Sequence, residues 1–297
     1  MSMIQLLLDD TVQRLNNISA KEKDLEILRK RDYYDMALII KKCFEFAADE
    51  GICENTWNIA KTKINTKKLK KIRKKESNSE IYYYDEKAKL IAHALKRYAE
   101  RPWNIGVLAI PFLFLSGMRI SEVVALKYSN LCDNEIHVDE AEINAYMYDE
   151  NKAEFKYLGK TVENHTKSEA GIRTIPYTSD AKKIIGLVKK ASIQYNYYDN
   201  DYVFCPASKR LTSNSIDKLL YRYCEEVGIP KKSAHKIRKT YISQLVVGGI
   251  DLDTVCRVSG HADLKTTLES YFYSLDRKNE VHSKFEGIFQ NTILQEK

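Results

Sequence analysis

Four chemically capable side chains, His235, Arg238, His261 and Tyr271, fall within one stretch, SAHKIRKTYISQLVVGGIDLDTVCRVSGHADLKTTLESYFY (Ser233 to Tyr273). The stretch also constrains its own fold. Ile237, Tyr241 and Leu245 recur every four residues, which predicts a helix with one buried face, and Ser233 suits its N-cap. His235 and Arg238 are three apart, so both project from one side of that helix's first turn. Gly248-Gly249 ends it. Asp251 then starts a second helix in which Leu252, Val255 and Val258 face inward. Gly260 suits the left-handed position that closes such a helix, which presents His261 from a tight corner. A third short helix, from about Asp263, would carry Tyr271.

A second block, LFLSGMRISEVVALKYSNL (Leu113 to Leu131), centres on Arg119. The apolar run Ile105 to Met118 reads as a buried helix delivering that arginine, and Gly117 lets the backbone turn tightly just before it. Ile120, Val123, Val124 and Leu126 resume a helical stripe and leave Arg119 off the core. Taken alone, Arg119 reads as a structural arginine paired with Glu122. A lone HxxR or GH is a weak signal, and a tyrosine in an aromatic cluster is more often packing than chemistry. The order and spacing of all of them together carry the functional reading.

The boxes SGMRISE (Ser116 to Glu122), HKIR (His235 to Arg238), SGH (Ser259 to His261) and TTLESY (Thr266 to Tyr271) resemble the tyrosine recombinase family, the phage-type integrases. The resemblance runs from about residue 80 to 275 and more loosely over the N-terminal part. Ser116 stands where threonine is usual, Ser259 where leucine is, and Lys239 where histidine is frequent. None of these changes removes a catalytic group. The resemblance implies a catalytic set of Arg119, Lys167, His235, Arg238, His261 and the nucleophile Tyr271, with Tyr273 as fallback nucleophile. Lys167 lies in HTKSEAGIRTIPY, which resembles the family's hairpin with TK at the turn and an RxIP strand returning; Lys160 is the competing lysine.

The implied fold is mainly α with a small antiparallel β-sheet: a helical N-terminal core-binding domain followed by a tyrosine-recombinase catalytic domain. Alternation in EIHVDEAEINAYMY and GIRTIPY agrees with strands between Glu135 and Pro176. The expected boundaries are a helical DNA-clamp domain over 1–66, a basic linker over 67–80, and a catalytic domain over 81–297. Val281, Phe285, Ile288 and Phe289 form a last amphipathic stripe, which suits a C-terminal helix that packs on a neighbouring protomer. In the first domain Met36, Ile39, Ile40, Cys43, Phe44 and Ala47 make a helical stripe, with Gly51 where a C-cap belongs.

Lys61 to Lys75 holds nine lysines and arginines and no acid. Most charge runs are solvated linkers. Between two domains that close on a duplex, however, Lys67, Lys68, Lys70, Lys71, Arg73, Lys74 and Lys75 would lie on the phosphate backbone and release counterions. The formal charge of +7 suits such an acidic partner. Six cysteines show no metal-ligand spacing and read as reduced, mostly buried thiols. The most apolar run is too short to span a bilayer, and no signal peptide shows.

A phosphodiester resists attack because a nucleophile brings negative charge toward negative charge. Two arginine forks suit the non-bridging oxygens of the pentavalent transition state, each contributing roughly 3–4 kcal/mol by analogy with oxyanion-hole donors. The reading therefore asks for no metal and no cofactor, and no GxxxxGK[ST] nucleotide loop is present. The tyrosine phenol, with an ordinary pKa of about 10, must lose its proton as it attacks. The resemblance gives that proton to His235, a phosphate contact to His261, and protonation of the leaving 5′ oxygen to Lys167. The expected partners are double-stranded DNA at specific recombination sites, three further copies in a homo-tetramer, and accessory DNA-bending or excision factors, in a bacterial cytoplasm at the nucleoid and away from any membrane. The reading is a mobile-element integrase. Its alternatives are a chromosome-dimer resolvase, a type IB topoisomerase, and a catalytically silent DNA-binding regulator.

Overall fold

The computed structural model describes residues 30–55, 57, 80–149, 154–164, 171–197 and 201–260. The chain divides into two compact units, residues 1–75 and 76–297. In the first, helix α1 (Lys30–Asp49) ends at Gly51, which takes φ +70, with the Ile52 amide donating to the Ala47 carbonyl at 2.8 Å. Such a left-handed glycine closes the helix without a Cβ penalty. Met36, Ile40, Phe44 and Ala47 of the expected stripe are half-buried, whereas Ile39 and Cys43 are exposed. The inward face is thus narrower than the periodicity predicts, and Ala37 rather than Ile39 is its buried member.

The second unit is built around one short helix. A 3₁₀ turn (Ile105–Leu108) runs into α3 (Ala109–Ser116), after α2 (Tyr84–Glu100). In α3 Ile110, Phe112, Leu113 and Phe114 are all buried. A helix apolar all round must be covered all round, and α2, α5 (Ser179–Gln194) and α7 (Ala234–Val247) supply that cover. Pro111 sits in the first turn, where its missing N–H costs no helical bond. Phe114 meets Tyr82 edge-on at 5.4 Å, and Phe112 meets Phe204 at 5.7 Å.

The expected strands form two ribbons. β1 (Glu135–Val138) pairs antiparallel with β4 (Arg173–Pro176), setting Val138 opposite Arg173. β2 (Glu140–Asp149) pairs antiparallel with β3 (Glu154–Asn164), with an irregularity between Ala145 and Tyr146. The RTIP strand therefore returns to β1, not to the strand before it. α4 (Ile120–Val123) is a single turn, shorter than the stripe through Leu126 predicts. The helices α6 (Ser213–Glu226) and α8 (Leu252–Ser259) start at Thr212 and Asp251, whose side chains accept from the amides three residues on.

Ser233 occupies the N-cap of α7, but the Ala234 amide donates to Asp217 of α6 at 3.0 Å. Cys205, Cys224 and Cys256 are buried and Cys43, Cys53 and Cys132 exposed, none of them in a disulfide, so only half of the thiols fit the expected burial. Among the described residues no helix is long and apolar enough to cross a membrane.

Gly117 fixes the approach of α7 to α3. It takes φ +62, and a Cβ there would fall 2.1 Å from the Tyr241 ring. Gly117→Ala should therefore cost about 2–5 kcal/mol, from left-handed strain and overpacking together. Denaturant unfolding checks this; a loss below about 1 kcal/mol would mean the corner tolerates a side chain.

Candidate active site

Two glycine corners bring the sequence-predicted arginines together. The first is Gly117, closing α3. Arg119 follows it as the N-cap of α4, and Glu122 in that turn reaches back to the Arg119 amide at 2.8 Å. The same carboxylate accepts from Arg119 Nη1 at 2.7 Å, while Arg119 Nη2 donates to the Gly260 carbonyl at 3.1 Å. The second corner is Gly260, left-handed at φ +61, closing α8. The next residue is His261.

The end of α8 receives three guanidinium groups on three successive carbonyls. Arg173 Nε donates to Val258 at 2.8 Å, Arg238 Nη2 to Ser259, and Arg119 Nη2 to Gly260. The last carbonyls of a helix lack intrahelical donors and carry the negative end of its dipole, so cations are favoured there. Arg238 Nη1 also donates to the Gly117 carbonyl at 2.9 Å, which ties the two corners together. Arg119 and Arg238, 119 residues apart in the chain, are thereby anchored on adjacent carbonyls.

Access differs between the two forks. The Arg119 side chain is 36% exposed, whereas Arg238 is 2% exposed. Glu122, fully buried, is held by Arg173 through both oxygens, at 2.7 and 3.0 Å. The pairing of Arg119 with Glu122 that the sequence allowed is present, and the arginine that is buried with that acid is Arg173. Sequence reasoning passed over Arg173. Its signal was the alternation in RTIP, which places it two residues before Ile175 on the inward face of β4.

His235 counts as exposed over the whole residue, yet its imidazole is partly desolvated by burial. That desolvation, followed by the Lys239, Arg238 and Lys236 charges, pushes the imidazole down to about 4, with Glu80 opposing. His235 is then neutral at pH 7 and able to accept a proton. An unfolded chain protonates this group near the ordinary 6.5, so it takes up the proton first as pH falls from there toward about 4. Stability should fall across that window and be unaffected by this group above it. A histidine-selective NMR titration checks the shift; a midpoint near the ordinary value would contradict it.

Lys160, the competing lysine, sits at the foot of the β2–β3 ribbon. Its Nζ donates to the buried Glu142 at 2.8 Å, to Ser213, and to Asn214 at 3.3 Å. Glu142 also takes Arg210 at 2.8 Å and the Ser213 amide at 2.9 Å, which anchors the ribbon to the start of α6. Lys167, His261, Tyr271, Tyr273 and the basic run with Lys67, Lys68, Lys70, Lys71, Arg73, Lys74 and Lys75 lie outside the described residues.

A model of the phage integrase family matches residues 82–278, more than half of the chain and the whole of this corner. The chain belongs to that family. It is 27% identical to a tyrosine recombinase XerC-like protein of Caldanaerobacter subterraneus subsp. tengcongensis over 80% of this chain and 61% of the relative. It is 26% identical to transposase A of transposon Tn554 from Staphylococcus aureus over 77% of this chain and 56% of the relative. This integrase-family chain thus spans less than two thirds of the length of either relative. In fold it is similar to the Tn1549 transposon integrase in complex with circular intermediate DNA, with a TM-score of 0.63 and 16% identity, covering 95% of this chain and 86% of that one. The XerH site-specific recombinase bound to a palindromic difH substrate gives a TM-score of 0.58 at 17% identity, covering 95% and 69%.

Proposed function

We propose that the chain is a site-specific DNA recombinase of a mobile element, cutting and rejoining duplex DNA through a 3′-phosphotyrosine. The observation that carries this reading is the anchoring of Arg119 and Arg238 on adjacent carbonyls at the corner that leads into His261. Two permanently charged planar forks at one point suit the two non-bridging oxygens of one phosphate. The catalytic set is Arg119, Lys167, His235, Arg238, His261 and Tyr271. Lys160 is committed to Glu142, which supports Lys167 as the lysine.

In the proposed step the Tyr271 oxygen attacks phosphorus and the bond to the 5′ oxygen breaks. His235, neutral at pH 7, takes the phenolic proton, His261 donates to a phosphate oxygen, and Lys167 gives a proton to the leaving 5′ oxygen. The arginines supply the charge stabilisation, so the step is written without metal or nucleotide. The phosphotyrosine keeps the bond energy, and a foreign 5′ hydroxyl reverses the reaction. Exchange through a Holliday junction in a tetramer follows from two such cleavages in turn. Residues 1–66 close on the duplex as a core-binding domain, residues 67–80 cross its backbone, and residues 81–297 carry the chemistry, with accessory DNA-bending or excision factors setting direction.

The transposase A relative and the transposon-integrase fold favour a mobile element. The XerC-like relative favours the second reading, a chromosome-dimer resolvase. A covalent trap tests both. Nicked suicide duplexes cut from the two junctions of the element encoding the chain, and from the host's dimer-resolution site, are each incubated with the chain without metal or ATP. A protein–DNA band that survives denaturation is expected on the element junctions. A band only on the resolution site would select the resolvase, and tight binding without any band would select the silent regulator.

A further inference from the structure

One buried acid outside the catalytic set touches the helix that carries His235 and Arg238. Glu80 is 4% exposed and lies just before α2, a few residues past the basic run. Its two carboxylate oxygens take two lysines of α7: Lys236 Nζ at 2.7 Å, and Lys239 Nζ. Those lysines sit directly beside His235 and Arg238 in the sequence. The next residues continue the seam. The Tyr82 amide donates to the Thr240 hydroxyl at 2.7 Å, and Lys232 donates to the Ile81 carbonyl at 2.8 Å and to Glu86 at 2.6 Å.

We propose that Glu80 is a positioning residue for strand cleavage: its carboxylate fixes both lysines that flank His235 and Arg238 and holds the first turn of α7 against the residues that lead into α2. The inference rests on the recombinase reading. A buried ion pair is weak evidence of a stabilising role, since apolar residues of similar volume often serve the fold as well. What charge adds here is control of two cations on long, flexible side chains. A lysine is a flexible point charge that seeks phosphate; without Glu80, Lys236 and Lys239 would compete with the arginine forks for the phosphate oxygens.

The second consequence is electrostatic. On α7 the charges beside His235 are Lys236, Arg238 and Lys239, all cationic. From the packed elements come Glu80, Asp217 of α6 at the Ala234 amide, Lys87 of α2 on Gln244, and Arg119 and Arg173 sharing Glu122. Glu80 bridges two of the flanking cations. Burial pushes its own carboxyl up, but hydrogen bonds and charge from Lys236 and Lys239 outweigh this and hold it below the ordinary carboxylate range. It is therefore ionised at pH 7 and keeps His235 a better proton acceptor than the three cations alone would allow.

The test compares the parent chain with E80Q and the double variant E80Q/K239M. Single-turnover adduct formation and affinity are measured on an element-junction suicide duplex, well below each variant's melting temperature. E80Q should cleave about 10–100-fold more slowly, a partial loss of general-base catalysis, while binding the duplex as tightly as the parent or more tightly, since a negative charge has been removed. E80Q/K239M should regain most of the rate. Cleavage by E80Q within twofold of the parent overturns the inference, as does a parallel loss of binding and cleavage that K239M does not restore. The His235 NMR titration of the free chain needs no DNA: E80Q should stay neutral to lower pH than the parent, and an unchanged midpoint also overturns it. A parent chain that forms no adduct counts against the recombinase reading, while the titration still decides the role of Glu80.

Discussion

A Tyr271→Phe chain should bind its duplex as the parent does and form no covalent adduct. The substitution removes one oxygen, leaves the ring and does not touch the arginine forks. Phosphate contacts supply most of the affinity for DNA, and the phenol adds little to it before attack. Cleavage has no substitute nucleophile in the proposed step, so the rate should fall on the order of 10⁴-fold or more, as for loss of an isolated nucleophile. The denaturing gel on the junction suicide duplex reads this directly. Tyr273 supplies the informative contrast, because it lies two residues on in the run Tyr271-Phe272-Tyr273. Tyr273→Phe should retain the adduct. A band in Tyr271→Phe that vanishes in Tyr273→Phe would move the nucleophile by two positions and leave the rest of the site in place.

The parts of this site that were legible in the sequence are those set by local geometry. Gly117 and Gly260 read as tight corners because a left-handed backbone rejects a Cβ, and both take φ near +60. His235 and Arg238 read as one helix face because three residues make most of a turn. What stayed hidden depends on contacts between distant segments. Nothing near Glu80 announces that it meets Lys236, 156 residues later. The pairing of β4 with β1 was equally hidden, since strand alternation predicts a face but not a partner. The same limit applied to Lys160: a lysine beside a predicted turn looks available until Glu142, 18 residues before it, takes the charge.

Glu122 shows what such hidden contacts are worth. Glu122→Ala should lower stability by about 3–5 kcal/mol, because it leaves the Arg173 guanidinium buried without its acid. Denaturant unfolding measures that loss, and a value below about 1 kcal/mol would mean that Arg173 finds other compensation at the α8 carbonyls. The same carboxylate also orients Arg119, through its side chain and its amide, so two effects are superimposed in the single variant. A double variant separates them. Arg173→Met in the Glu122→Ala background removes the buried cation and should recover much of the stability, since apolar replacement of a buried pair is often neutral. It does nothing for Arg119, whose fork is then held by the Gly260 carbonyl. Cleavage should stay about 10²-fold below the parent even in the well-folded double variant, the scale of a mispositioned transition-state donor. Full recovery of cleavage with stability would show that Arg119 needs only the corner and that Glu122 serves the fold alone.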